Sequence, residues 1–398
     1  MRALLRRIPR RLLAAVGILL AALVLMMGAL IYRHWKSIEN PYNFPTLKGE
    51  PIIGVWYRVY PEGTVSADGS GWHGMFRLGA ENKVVVYFYG GGLALDPVTA
   101  ASPYSLDPEN GYYYDTEAKL RDYQATWGFG NREAYTPFRD WSIVAIPYTT
   151  GDIHIGRGEF ECTMVNGETR TVRFHGYDNY EAMMDEVRDL VGSPEALLIT
   201  GTSAGGFGAS LLAEDVAGRF PETENVTLCL DSALLRKPDW PETARDFWNA
   251  PAEIAGRVTS DNIVLDGLTA LHRDLPKVKI LYTCSLRDAE LARFQAYVDT
   301  GEGRRDESAG DIFQESLTGM VADIRREIPE AGFYIWDCVP FSEEEGETLT
   351  RHTVLVSSYA REALVGDKVF LDWICDAVEG NVESYGLELV TEEQENAA

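Results

Sequence analysis

Basic residues are scarce relative to acids in this chain: 36 Lys and Arg stand against 61 Asp and Glu, for a formal net charge of -25. Such a balance argues against a nucleic-acid partner and against docking of the main domain on an anionic lipid surface. Cysteines number five and histidines six in 398 residues. No C-x-x-C occurs, so neither a zinc ribbon nor a thioredoxin-type centre is indicated. Cys229 and Cys284 fall in apolar runs and read as core residues, while Cys338 and Cys375 are the pair that could bridge in an extracellular domain. The chain has no internal repeat and no domain-splitting linker after residue 51.

Long hydrophobic runs are also few, and the one that matters lies near the start. Leu12 to Tyr32 carries no charge and is long enough to cross a bilayer as a helix. Arg2, Arg6, Arg7, Arg10 and Arg11 precede it, whereas Arg33 and Lys36 follow. This asymmetry predicts a cytoplasmic tail at 1–11, a membrane-spanning signal anchor at 12–32 and everything beyond on the outer side. A cleaved signal peptide, giving a secreted protein, is the rival reading. A proline-bearing linker is expected at 33–51, an enzyme domain at 52–385 and an acidic, disordered tail at 386–398.

Within the domain, strands are expected at Ile52–Tyr60, Gly74–Leu78, Asn82–Tyr89, Trp141–Tyr148, Asn225–Leu230, Val278–Cys284 and Gly332–Val339. Helices are expected at Glu181–Val191 and Thr353–Glu379. The alternation predicts an α/β-hydrolase-like, mostly parallel sheet flanked by helices. Residues 102–138 are rich in aromatics, Asn and Gly and are too long for an ordinary connection, which marks a lid or substrate loop.

The stretch around which these elements are arranged is ALLITGTSAGGFGASLL, Ala196 to Leu212. A short buried strand leads into Gly201-Thr202-Ser203-Ala204-Gly205, and a helix follows. G-x-S-x-G between strand and helix is a nucleophile elbow, which presents the Ser203 hydroxyl at a sharp turn. A serine nucleophile needs a base, and the base an orienting acid, in the order Ser, acid, His for this fold. Asp288 follows the second strand past the elbow and His352 follows the third, in the required order. Asp231, ending the strand next to the elbow, is the rival acid. His272, the other histidine downstream of Ser203, sits in a helix-like LTALHRDL and reads as a surface residue. For the oxyanion, the candidate donors are the backbone N–H groups of Gly91, Gly92 and Leu93, after an upstream strand, and of Ala204.

The segments YGGG (Tyr89 to Gly92), IPYTTGDIHIG (Ile146 to Gly156), FHGYDN (Phe174 to Asn179), GTSAGGFG (Gly201 to Gly208) and LRDAELARFQ (Leu286 to Gln295) resemble the pectin acetylesterases and the related Notum-like carboxylesterases. The resemblance implies an extracellular serine carboxylesterase, without metal or cofactor, whose triad is Ser203, Asp288 and His352. Leu93 stands where members of the family commonly carry Trp, so the acyl and alcohol preferences are not carried over. Asp152, His154 and His175 lie in the family segments; they read as structural or pocket-wall residues, with a metal site as the alternative.

The expected activity is hydrolysis of O-acyl esters, O-acetyl above all, on an extracellular glycan. Alternatives are removal of a lipid- or protein-linked acyl group and a non-catalytic glycan-binding member of the fold. The partners expected are the ester substrate and, through the N-terminal helix, a membrane.

Overall fold

The computed structural model describes residues 26–27, 44–116, 122–132, 136–342 and 347–390. The β-rich runs form β1 (Trp56–Val59), β2 (Gly74–Arg77), β3 (Lys83–Phe88), β4 (Ser142–Ile146), β5 (Gly158–Thr163), β6 (Thr169–Phe174), β7 (Ala196–Thr202), β8 (Asn225–Asp231), β9 (Lys279–Ser285) and β10 (Gly332–Trp336). The main helices are α1 (Gly176–Val191), α2 (Ala204–Gly218), α3 (Ile263–Asp274), α4 (Ala289–Thr300), α5 (Glu307–Glu327) and α6 (Phe370–Val378).

Eight strands make one sheet in the order β1-β2-β4-β3-β7-β8-β9-β10. β2 runs antiparallel to both of its neighbours, and the pairs from β4 to β10 are parallel. β4 and β7 are buried at every position, and β3, β8 and β9 at all but the first. Strands buried on both sides need helices on both faces, which is why they read as unbroken apolar runs rather than as alternating patterns. α2 packs on β3, β7 and β8 and against α3, while α6 packs on β8 and β9.

Several expectations require correction. α1 begins five residues before Glu181, at Gly176, because the buried Asp152 carboxylate accepts the Gly176 N–H at 2.7 Å and ties down that end. The helix expected over Thr353–Glu379 is confined to Phe370–Val378, preceded by a 3-10 turn at Ser358–Arg361 and a small hairpin of β11 (Leu364–Val365) and β12 (Lys368–Val369). Gly366, with φ of 61°, makes that hairpin turn, and Thr353 has φ of 60°; neither conformation fits an α-helix. The β5–β6 hairpin was not foreseen, since its strands are half-exposed and interspersed with charges. Chain order extends past residue 386: Leu387–Leu389 is a 3-10 turn and Val390 is buried.

Contacts divide the chain at Pro45, so the folded unit starts at Thr46 rather than Ile52. No helix among the described residues is long and apolar enough to cross a membrane. The span expected at 12–32 lies outside the described residues, apart from Met26 and Met27. All five cysteines are free, so Cys338 and Cys375 are not bridged.

Candidate active site

In the parallel part of the sheet the loops at the strands' C-terminal ends converge, the usual place for a site in such sheets. Ser203 lies between β7 and α2 with φ of 53° and ψ of -127°. A non-glycine residue there carries strain on the order of 1–3 kcal/mol, which the surroundings must hold. They do so through the Ser203 N–H, donated to the Asp231 carbonyl at 2.8 Å. A Cβ on Gly201 would come within 2.1 Å of the Gly205 carbonyl oxygen, so the turn this tight demands glycine before the serine. Ser203 thus sits at the N-terminus of α2, where unpaired amides and the helix dipole favour negative charge.

Asp288 caps α4, its Oδ1 accepting the N–H groups of Glu290 at 3.1 Å and Leu291 at 3.0 Å. The same carboxylate is fully buried and receives His352 Nδ1 at 2.8 and 2.9 Å. An ionised carboxylate only accepts, so Nδ1 is the protonated nitrogen and Nε2 is left for chemistry. The histidine loop is stitched to the acid: Ala289 N–H reaches Thr350 O at 3.1 Å, and Thr350 N–H reaches Arg287 O at 3.0 Å. Burial alone would lower the His352 pKa. The charge and hydrogen bond of Asp288 outweigh it and hold the imidazole above the ordinary histidine value.

The rival acid meets different partners. Asp231, fully buried, accepts the backbone N–H groups of Val354 and Leu355 on Oδ2, both at 2.8 Å, and the Ser232 hydroxyl on Oδ1 at 3.1 Å. Burial pushes its pKa up to about 6, against the lowering effect of the two N–H donors.

Ser203 and His352 line one cavity of about 440 Å³ together with Gly90, Gly91, Gly92 and Thr202. No hydrogen bond joins Ser203 Oγ to His352 among the described residues; such contacts are commonly long without substrate. The expected oxyanion donors divide. The N–H groups of Gly91, Gly92 and Ala204 have no acceptor among the described residues. Leu93 is a correction: its N–H is donated to the Tyr112 carbonyl at 2.7 Å, so it is withdrawn from the site. At Gly90, a Cβ would stand 2.8 Å from Ser203 Cβ, which shows how closely the glycine loop approaches the nucleophile.

The aromatic connector singled out in the sequence covers this cavity with Tyr104, Pro108, Glu109, Tyr114 and Gln124. These side chains, with Glu290, Arg305 and Val356, were not named from sequence, because no spacing rule ties a loop residue to a site formed by distant strands. Arg77, fully buried on β2, fastens the far end of the connector by donating to the carbonyls of Gly130, Phe138, Arg139 and Trp141.

Asp152, His154 and His175 are not gathered into a ligand set. Asp152 spends its oxygens on Thr150 Oγ1, His154 N and Gly176 N. His154 Nε2 meets the Tyr89 carbonyl at 2.9 Å, and burial pulls its pKa down to about 4. His175 lies beside Asp178 at the start of α1. Among the described residues, no three His, Cys, Asp or Glu are grouped to hold a metal ion. His272 is half-buried on α3, 3.4 Å from Glu330.

Residues 60–244 match the family model of the pectinacetylesterases. The resemblance read from the motifs is real. That match spans the glycine loop, the GDIHIG and HGYDN segments, the elbow and Asp231, but stops before Asp288 and His352. No curated protein sequence matches the chain. Two solved structures of the Wnt deacylase Notum from Drosophila are similar. Crystal form I has a TM-score of 0.57 at 16% identity, covering 81% of this chain and 92% of that one. Crystal form II has a TM-score of 0.56 at 17% identity, covering 82% and 94%. At such identity the likeness to Notum concerns the fold.

Proposed function

We propose that the chain is a serine carboxylesterase of the α/β-hydrolase type that removes short O-acyl groups, O-acetyl above all, from a glycan outside the cytoplasm. The observation that carries this reading is the fully buried Asp288 carboxylate bonded to His352 Nδ1 in a cavity that Ser203 also lines. His352 Nε2 takes the Ser203 proton as Oγ attacks the ester carbonyl, and the proton passes to the leaving alcohol. Asp288 keeps the tautomer and stabilises the imidazolium. The N–H groups of Gly91, Gly92 and Ala204 receive the oxyanion, and water then deacylates Ser203 by the same route in reverse.

The cavity supports a short acyl group. Its described lining contains two aliphatic side chains, Pro108 and Val356, amid glycine, tyrosine, glutamine, glutamate and arginine. A long acyl tail would gain about 0.8 kcal/mol per buried CH₂ only against an apolar wall, so a lipid-deacylating reading finds less support. A binding module would have no use for a strained serine beside a buried Asp–His pair. The arginine-flanked run 12–32 supports an anchor that places the domain on the extracytoplasmic side. The full chain assayed with 4-nitrophenyl esters of increasing acyl length tests the reading. Hydrolysis falling from acetate to longer chains is expected; no hydrolysis of the acetate, or preference for a long acyl chain, overturns it.

A further inference from the structure

A short 3-10 helix, Asp122–Thr126, forms part of the roof of the cavity and is held with unusual firmness for a piece of connector. Asp122 accepts Arg58 Nε at 2.8 Å and bonds His73 Nε2 at 2.8 Å, so two side chains from the sheet's antiparallel edge pin its first turn. Tyr89 holds the rest: its hydroxyl accepts the Ala125 N–H at 3.0 Å and donates to the Asp122 carbonyl at 3.4 Å. Tyr89 is also the residue that leads into the Gly90–Gly92 loop, and its own carbonyl is fixed by His154. One tyrosine therefore sets the distance between the oxyanion glycines and the helix above them.

Between these clamps stands Gln124. It lines the catalytic cavity, and its side-chain oxygen is buried with no hydrogen-bond partner. A buried, unpaired polar atom on a rigid support is costly in the free protein and favours whatever supplies the missing bond. The described lining of the cavity also holds the tyrosines Tyr104 and Tyr114 and the carboxylates Glu109 and Glu290. Arg305, the one Lys or Arg among the described lining residues, is paired with Glu290 at 2.7 Å.

We propose that Gln124 holds the alcohol half of the ester, and that this alcohol is an uncharged, hydroxyl-rich sugar rather than a uronate. The inference rests on the esterase reading above and adds the class of alcohol. A carboxamide both donates and accepts, as a sugar hydroxyl does, so the pair is complementary in either orientation of the amide. A carboxylate only accepts, and a chain of uronates brings repeated negative charge to Glu109, the lining carboxylate left over once Glu290 is paired with Arg305, on a protein whose formal net charge is -25.

The test compares three esters on the full chain: 4-nitrophenyl acetate, O-acetylated xylooligosaccharide and O-acetylated oligogalacturonide. At low salt kcat/KM for the xylooligosaccharide exceeds that for the oligogalacturonide by roughly tenfold or more, and the gap narrows as added salt shortens the screening length from ~10 Å at 0.1 M toward ~3 Å at 1 M. Gln124→Leu lowers kcat/KM on the xylooligosaccharide about tenfold more than on 4-nitrophenyl acetate, whose leaving group offers no sugar hydroxyl. Equal losses on both esters would mean that Gln124 serves only the acyl half or the fold, and would overturn the inference. So would preference for the oligogalacturonide at low salt. Failure of the wild-type chain on all three esters sinks the esterase reading itself, whereas hydrolysis of 4-nitrophenyl acetate without the sugar preference sinks this inference alone.

Discussion

Asp231 accepts the Val354 N–H on its carboxylate at 2.8 Å, and its backbone carbonyl accepts the Ser203 N–H at the same distance. One residue at the end of β8 thereby fixes both Ser203 and the loop that carries His352. The two acids near His352 divide the work: Asp288 touches the imidazole, and Asp231 positions the backbone that follows it.

Isosteric amides separate these roles. Asp288→Asn presents a donor to His352 Nδ1, favours the wrong tautomer and is expected to cost on the order of 10⁴ in kcat near neutral pH, as the same change does in a serine protease. Asp231→Asn can still accept both N–H groups on its oxygen while its NH₂ donates to Ser232 Oγ, so it folds and keeps most of its activity. Assays of both variants with 4-nitrophenyl acetate decide the matter: an inactive, folded Asp231→Asn beside an active Asp288→Asn reverses the assignment.

Stability supplies a second readout on Asp231. Its folded pKa, about 6, lies above the value near 3.8 in the unfolded chain. A raised carboxyl pKa favours folding below pH ~4, and that advantage disappears as pH rises through ~6. Asp231→Asn does not titrate. Urea unfolding should therefore show the variant gaining on wild type between pH 4 and pH 7, by on the order of 3 kcal/mol. A constant difference across that range would show that the carboxyl is not buried as described.

Ser203→Ala is expected to lose roughly 10³-fold or more in kcat while its melting temperature is unchanged or raised, since alanine also relieves no cap and leaves the core intact. Chelators are expected to leave wild-type activity unaltered. Inhibition by a chelator, reversed by zinc, would point instead to metal chemistry.

The pH profile follows from His352. Activity needs the neutral imidazole, and the Asp288 charge raises its pKa, so the acid limb of kcat/KM should fall above the ordinary histidine value of about 6.5. Asp231→Asn removes one nearby negative charge and should move that limb to lower pH. A limb below 6 in wild type would contradict the buried ion-pair geometry.

Tyr89→Phe tests the clamp between the glycine loop and the connector. The change strands the buried Ala125 N–H, at about 1–3 kcal/mol. Unfolding in urea at lower concentration is expected, together with a KM for esters that rises more than kcat falls. Wild-type stability and kinetics would show the hydroxyl to be dispensable.

The parallel strands and the meeting of Asp288 with His352 were legible because their signals are local or ordinal. β3, β4 and β7 announce themselves as apolar runs, and strand counting alone brought Asp288 and His352 to one place. The misreadings share a cause: they depend on partners far along the chain. Leu93 looked like a donor because its acceptor, Tyr112, lies inside the connector. Val354 and Leu355 continued an apolar helical pattern, yet their N–H groups turn inward to Asp231. Gln124 is an ordinary glutamine until Tyr89 and Asp122 fix it over Ser203's cavity.

The stitching of residues 287–289 to Thr350, and of Asp231 to Val354, has a bearing on biosynthesis. The ribosome delivers the elbow and glycine loop well before β10 and the histidine loop, and folding of such parallel pairings waits for distant segments to meet. The growing polypeptide therefore holds Ser203 before Asp288 and His352 have met. On the proposed esterase reading, activity would begin only once β10 and the loop after it have docked, and a nascent chain would be silent toward esters until then.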